Sequence, residues 1–228
     1  MPPLPRNPLM LQLLATVLAL TAAPPPATCT YDIWTWSVVA HRAVDHRHVS
    51  KPYSEITAEE KASDWSATGC TICREDQETV AVAGTPSVLV CRHFAPQIRQ
   101  ALQAAVEAGA RIDKLVGYRV GRSGGPIVNG KRTQYGWHAF GEALDINPDA
   151  NGLYGHCARK APAPRTSAEL AGCQRRIGGA WRPEDQPARS LTADGAIVAA
   201  FRRLVDWRWG GERTDTTKDL MHVSPDGY

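Results

Sequence analysis

What the chain lacks narrows its class first. It has no strong charge of either sign: 26 Lys and Arg against 23 Asp and Glu leave a formal +3 over 228 residues. So mild an excess excludes a dedicated nucleic-acid binder, which gathers cations on one face. No apolar run reaches the roughly 20 residues that a membrane-spanning helix needs. The candidate run, Leu9 to Ala22, is interrupted by Gln12, Thr16 and Thr21. No internal repeat is present, and the compositional marks of disorder are missing, since 43% of residues are hydrophobic. One globular domain with a substantial core follows.

The short apolar run has a second meaning. Arg6 precedes it and the small residues Thr21-Ala22-Ala23 follow it, which is the layout of a secretory signal peptide over residues 1–27, cleaved between Ala22 and Ala27. Pro26-Ala27-Thr28 before Cys29 lacks the pattern of a lipid-anchoring site. The expected location is secreted or periplasmic, with no stable membrane insertion after cleavage. Loss of Arg6 lowers the mature charge to about +2, compatible with life beside an anionic wall polymer.

Six cysteines fit an oxidising compartment, where Cys29, Cys70, Cys73, Cys91, Cys157 and Cys173 can form up to three bridges. Cys157 with Cys173 is the preferred pair, closing a local loop and stabilising by about 3 kcal/mol through lost unfolded-state entropy. The other four remain unassigned. Disulfide membership is also the reading of Cys70-x-x-Cys73, rather than zinc or redox chemistry.

Along the chain, residues 28–92 read as an N-terminal disulfide-containing wrap and residues 93–228 as the core, with an inserted surface loop at 155–190 carrying Arg159, Lys160, Arg165, Arg175 and Arg176. Thr57 and Glu60 have capping-box spacing for a short helix. Val80 to Val90, around Gly84-Thr85-Pro86, reads as a hairpin. Ile98, Leu102 and Val106 recur every four residues after Pro96 and before Gly109, predicting a core helix from 96 to 108. Leu115 to Val120 reads as a strand followed by a glycine loop at 121–126. A second helix is expected from Ala193 to Asp206, capped by Thr192, with Ile197, Phe201, Leu204 and Val205 on one face. Gly125 to Lys131 imitates a phosphate loop, but Arg132 stands where Ser or Thr is required.

The informative stretch is Gly136-Trp137-His138-Ala139-Phe140-Gly141-Glu142-Ala143-Leu144-Asp145-Ile146-Asn147, together with Lys218-Asp219-Leu220-Met221-His222. Two histidines and one carboxylate form a zinc set that leaves a position open, the catalytic rather than the structural arrangement. His138 and Asp145 are separated by an odd number of residues, so an unbroken strand would point them to opposite faces. A bend at Gly141 resolves this, with His138 on a loop, Asp145 on a strand from Ala143 to Asn147, and His222 on a neighbouring strand. Asp219 is placed to carry a proton, and Arg119 to hold a substrate carboxylate or a developing oxyanion; a structural salt bridge is the competing reading of Arg119.

At these residues the chain resembles the zinc D-alanyl-D-alanine carboxypeptidases and the related VanY-like and L-alanyl-D-glutamate peptidases of the hedgehog/DD-peptidase fold. Tyr118-Arg119, His138, Gly141, Ala143, Asp145, Asp219 and His222 match the family pattern in order, and Trp207-x-Trp209-Gly210-Gly211 is similar to a tryptophan-glycine segment of its endopeptidase branch. The resemblance spans roughly residues 94–223. Gly136 departs from it, standing where the family has serine, and Val223 stands where phenylalanine is common.

The resemblance implies a compact α+β domain with a central antiparallel sheet flanked by helices, one Zn2+ per chain on His138, Asp145 and His222, a base at Asp219 and a transition-state arginine at Arg119. The implied activity is hydrolysis of peptide bonds in peptidoglycan stem peptides by metal-activated water, of the D,D-carboxypeptidase or L-Ala-D-Glu endopeptidase type. The expected partner is peptidoglycan peptide, with no nucleic acid, and the chain is expected to be a monomer. A zinc-containing wall-binding or signalling module of the same fold, without turnover, is the alternative. Three further histidines, His41, His46 and His48, read as a solvated basic face.

Overall fold

The structure is a computed structural model and describes residues 26–228. The signal-peptide expectation therefore lies outside the described residues up to residue 25. The chain runs β1 (Thr28–Ser37), β2 (Arg42–Pro52), α1 (Trp65–Thr68), β3 (Gln77–Val80), β4 (Val88–Cys91), α2 (Ala95–Glu107), β5 (Leu115–Val116), β6 (Val120–Val128), β7 (Lys131–Tyr135), β8 (Leu144–Ile146), β9 (Leu153–Gly155), β10 (Gln174–Ile177), α3 (Ala196–Leu204), β11 (Arg208–Trp209), β12 (Lys218–Asp219) and β13 (His222–Ser224). This is the expected α+β class. The strands divide among four sheets, ordered β2-β1-β6-β7, β11-β13-β8-β5, β10-β9-β12 and β3-β4. Pairing is antiparallel except where β1 runs parallel to β6.

The main core is built by α2 and α3. Ile98, Ala101, Leu102 and Ala105 of α2 are buried at helical spacing, and they meet Ile197 and Phe201 of α3 together with Trp207, Trp209, Leu144, Ile146 and Val223. Pro96 occupies the first turn of α2, as its sequence predicts. The hairpin expected around Gly84 is present as β3 and β4. Thr57 and Glu60 form a full capping box on a single 3-10 turn, Ala58–Glu60.

Residues 28–92 also carry the two longest strands, β1 and β2, and place them in one sheet with β6 and β7. Element expectations further along the chain are corrected. The strand expected over 115–120 is broken: β5 ends at Val116 and β6 begins only at Val120. Between them the Tyr118 N–H donates to the Leu89 carbonyl (2.7 Å) and the Arg119 N–H to the His138 carbonyl (3.0 Å), an approach so close that a Cβ on Gly117 would fall within 3.0 Å of the Leu89 oxygen. The glycine loop at 121–126 is instead part of β6, whose hairpin with β7 also absorbs the phosphate-loop imitation. The helix expected from 193 begins at Ala196, since the Thr192 carbonyl accepts the Gly195 N–H in a turn (3.0 Å).

The three disulfides are Cys29–Cys73, Cys70–Cys91 and Cys157–Cys173. The local pair is the one the sequence favours, and Cys70 and Cys73 each bond elsewhere. The 155–190 segment is more than a surface loop. Arg159, Lys160, Arg165, Arg175 and Arg176 are exposed, but Leu170 and Trp181 enter the core, and the Trp181 indole donates to the Leu191 carbonyl (2.9 Å). Arg189 ties the end of the segment to Asp113 (2.7 Å) and Asp149 (2.6 Å). Among the described residues, no helix is long and apolar enough to cross a membrane.

Candidate metal centre

Asp145 lies in β8 and His222 in β13, and the antiparallel register pairs them directly. Side chains opposite each other in such a ladder share a face. His138 arrives from a 3-10 turn, Trp137–Phe140, that ends on Gly141 at φ 73°. This is the bend the odd spacing requires. Glycine is needed there twice over: the backbone is left-handed, and a Cβ would fall closer than 3.0 Å to the Gln77 side chain and the β4 backbone. The Gly141 carbonyl accepts the Cys91 N–H (2.9 Å), so the turn is fastened to β4 and, through Cys91, to the Cys70 disulfide.

The three side chains converge. His138 Nε2 and His222 Nδ1 each stand 3.1 Å from the same oxygen, Asp145 Oδ1. All three residues are buried. His138 Nδ1 lies 2.8 Å from the Gly117 carbonyl, which can only accept, so Nδ1 carries the proton and Nε2 turns a lone pair towards Asp145. Burial first, and then the nearby Arg119 and His222 charges, outweigh Asp145 and hold His138 below its usual pKa. A neutral imidazole lone pair facing a carboxylate lone pair needs a cation between them.

The donors fit a zinc ion on those grounds. Tetrahedral sites with bonds of about 2.0–2.2 Å separate neighbouring donors by about 3.3 Å, close to the 3.1 Å found here. The buried His138 Nε2 has no hydrogen-bond partner. Burial opposes charge on His222, but the Asp145 hydrogen bond and the Asp219 charge outweigh it and raise its pKa. Asp145 itself is held well below the usual carboxylate range: burial opposes this, and both histidines overcome it. One other set of potential donors converges among the described residues, Cys29, Cys73 and Glu75, and its two sulfurs are bonded to each other.

Arg119 lies in the short break before β6, where its own N–H donates to the His138 carbonyl (3.0 Å). Its Nη2 donates to Asp145 Oδ2 (2.9 Å), so one carboxylate oxygen faces the histidines while the other is held by the guanidinium. The structure thus displays the salt bridge that competes with direct substrate contact, although the side chain remains 37% exposed. Tyr118 donates its hydroxyl to the Ile72 carbonyl (2.6 Å) and packs in the second core cluster.

Asp219 sits on β12, three residues before His222. Its Oδ1 is sealed from solvent without a partner. Burial first, then the Asp145 charge, pushes its pKa up to about 6, against the pull of His222, Arg213 and Arg119. The Trp209-Gly210-Gly211 segment crosses directly over it: a Cβ on Gly210 would collide with the Asp219 backbone and Cβ. Trp207 and Trp209 are buried core residues rather than groove walls, and the Trp209 indole anchors the β12–β13 turn through the Leu220 carbonyl (2.9 Å).

Three features escape sequence reasoning. Ser123 of β6 brings its Oγ to 3.3 Å from where a Gly136 Cβ would stand, so a hydroxyl is present beside the position where the family serine is missing. The Trp137 indole donates to Asp226 Oδ1 (2.7 Å), tying the turn that carries His138 to the tail after β13. Glu142 is fully buried with neither oxygen hydrogen-bonded. None of these pairs is adjacent in sequence, and no spacing rule announces them.

Residues 129–225 match the family model described as D-alanyl-D-alanine carboxypeptidase, a little under half the chain. The matched segment contains His138, Asp145, Asp219 and His222 and begins ten residues after Arg119. No curated protein and no solved structure matches the chain.

Proposed function

Starting from a segment, residues 129–225, that carries the D-alanyl-D-alanine carboxypeptidase family, we propose that the chain is an exported zinc metallopeptidase that hydrolyses peptide bonds in peptidoglycan stem peptides. The observation that carries this reading is the convergence of His138 Nε2 and His222 Nδ1 on Asp145 Oδ1, each at 3.1 Å, with a lone pair left unpartnered. These three residues would hold the ion. When bound, zinc supplies Lewis-acid polarisation of the scissile carbonyl and lowers the pKa of a water towards about 7.

The remaining work belongs to side chains of this chain. Asp219, half-buried with its Oδ1 sealed from solvent and without a hydrogen bond, takes the proton released by the attacking water and returns it to the leaving amine. Burial raises its pKa to about 6 in the metal-free protein, still low enough for the carboxylate to be ionised and ready to accept a proton at neutral pH. Arg119 holds Asp145 through Nη2. Its side chain remains 37% exposed and is available to an oxyanion or substrate carboxylate. Gly117 fixes the tautomer of His138 through its carbonyl.

Export is supported by the three disulfides, which persist in oxidising compartments. The test is incubation of the purified protein with peptidoglycan and soluble muropeptides, with and without a chelator, followed by mass spectrometry. Loss of terminal D-alanine assigns a carboxypeptidase. A cut after L-alanine assigns an endopeptidase, as the Trp209-Gly210-Gly211 resemblance suggests. Zinc bound without any cleavage would instead support the non-catalytic wall-binding module.

A further inference from the structure

The β1–β2 hairpin carries a groove of about 390 Å³ lined by Asp32, Ile33, Trp34, His46, Arg47 and His48, none of which belongs to the proposed hydrolytic site. Its organising residue is Trp34. Cys29, Tyr31 and Ile33 of β1 are buried against the second core cluster, so the alternation of the strand turns Asp32 and Trp34 to the other face.

On one side Trp34 is in register with Gly121 of β6. A Cβ on Gly121 would fall closer than 3.0 Å to Cζ2, Cε2 and Cη2 of Trp34, three neighbouring atoms of the six-membered ring at nearly equal range. The ring therefore lies flat on the strand, and glycine at 121 is what allows it. On the other side the β1–β2 register shifts between Ile33 and Thr35, so that Asp45 and His46 stand opposite the single residue Trp34. Beyond them His48 Nδ1 meets Asp32 Oδ1 at 2.9 Å.

A flat indole rimmed by a carboxylate, two imidazoles and a guanidinium suits a ligand with one apolar face and a periphery of hydroxyl and amide groups. A pyranose ring has that character. A hydrocarbon would leave the polar rim unused, and the Asp32 carboxylate opposes the phosphates of an oligonucleotide, which would otherwise stack on such a ring. The location adds a further constraint. Gly121 comes two residues after Arg119, a distance of about 7 Å along extended backbone, and the Arg119 N–H is bonded to the His138 carbonyl. A sugar on Trp34 thus lies beside the backbone that positions the hydrolytic residues.

We infer that the Trp34 groove is a subsite for the N-acetylhexosamine chain to which stem peptides are attached. This rests on the reading of the substrate as a peptidoglycan peptide, and the experiment separates the two. The mature protein is titrated with chitotetraose, an N-acetylglucosamine tetramer that contains no stem peptide, by calorimetry and by NMR. In parallel, kcat/KM is measured on glycan-attached and on free stem peptide.

For Trp34→Ala, affinity for chitotetraose and the kcat/KM ratio of attached to free peptide are each expected to fall about tenfold. Asp32→Asn, a change at an exposed position that does not depend on the indole, is expected to weaken chitotetraose binding in the same sense. Equal affinity in wild type and both variants, or no binding by wild type at about 1 mM, overturns the subsite. A wild type that binds chitotetraose but cleaves neither peptide keeps the subsite and removes the peptidase reading.

Discussion

Asp145 and His222 face each other across the β8–β13 ladder, with 3.1 Å between Oδ1 and Nδ1. Residues 77 positions apart are thereby held by backbone hydrogen bonds rather than by flexible loops. His138 joins them from a turn whose geometry depends on Gly141 and whose tautomer depends on Gly117. A donor set built this way is preorganised, and its supports are as testable as the donors.

Asp219→Asn removes the proton carrier while preserving shape. Zinc content and the unfolding midpoint are expected to stay near those of wild type, with kcat reduced about 10²- to 10⁴-fold. In wild type, Asp219 must be ionised to accept a proton, and its pKa of about 6 in the metal-free protein is raised chiefly by burial. A dication nearby lowers that value, so kcat/KM is expected to hold from neutrality down to about pH 6 and to fall on further acidification. A pH–rate profile checks this, and full activity of the variant would remove Asp219 from the chemistry.

Arg119→Ala frees Asp145 Oδ2 from its one charged partner outside the histidines. Partners of this kind typically contribute 10- to 100-fold to metal affinity, so competition against a chelator should show zinc held about that much more weakly, together with lower kcat/KM. Unchanged zinc affinity with lost activity would leave Arg119 as a substrate contact alone.

Glu142 yields a prediction independent of catalysis. Burial first, and the Asp64 charge second, push its pKa to about 8 from an ordinary 4.5. Between those values the folded chain keeps a proton that the unfolded chain has released, so stability declines as pH rises, by up to about 1.4 kcal/mol per unit. Glu142→Gln is expected to flatten this slope and to be the more stable protein at pH 8, measured by urea unfolding at pH 5 and pH 8. A wild-type stability that rises across this range relative to the variant would contradict the buried neutral acid.

The parts of the site that were legible in the sequence were those written in order and spacing. His138, Gly141, Asp145, Asp219 and His222 could be named because their chemistry constrains both type and separation, and α2 could be placed because one apolar stripe recurs. The β1–β2 hairpin could not be placed: β2 is polar and largely exposed, so it carries no alternation. The break at Gly117 was hidden inside a strand-like stretch, Leu115 to Val120, because the partners that the backbone finds there, the Leu89 and His138 carbonyls, are distant in sequence. The contribution of Trp181 to the core was masked because it stands in an irregular stretch, Gly178-Gly179-Ala180-Trp181-Arg182-Pro183, with no periodic apolar pattern around it. Ser123 beside Gly136 and Arg119 on Asp145 are contacts between elements, which spacing along one element does not encode.

The central claim is that His138, Asp145 and His222 hold one zinc ion. Metal analysis of the purified mature protein tests it most directly, alongside His138→Ala and His222→Ala. The account expects about one zinc per chain in wild type, lost in both variants while the three disulfides and the fold persist. Variants that retain full zinc stoichiometry, or a folded wild type that binds none when zinc is supplied, would contradict it.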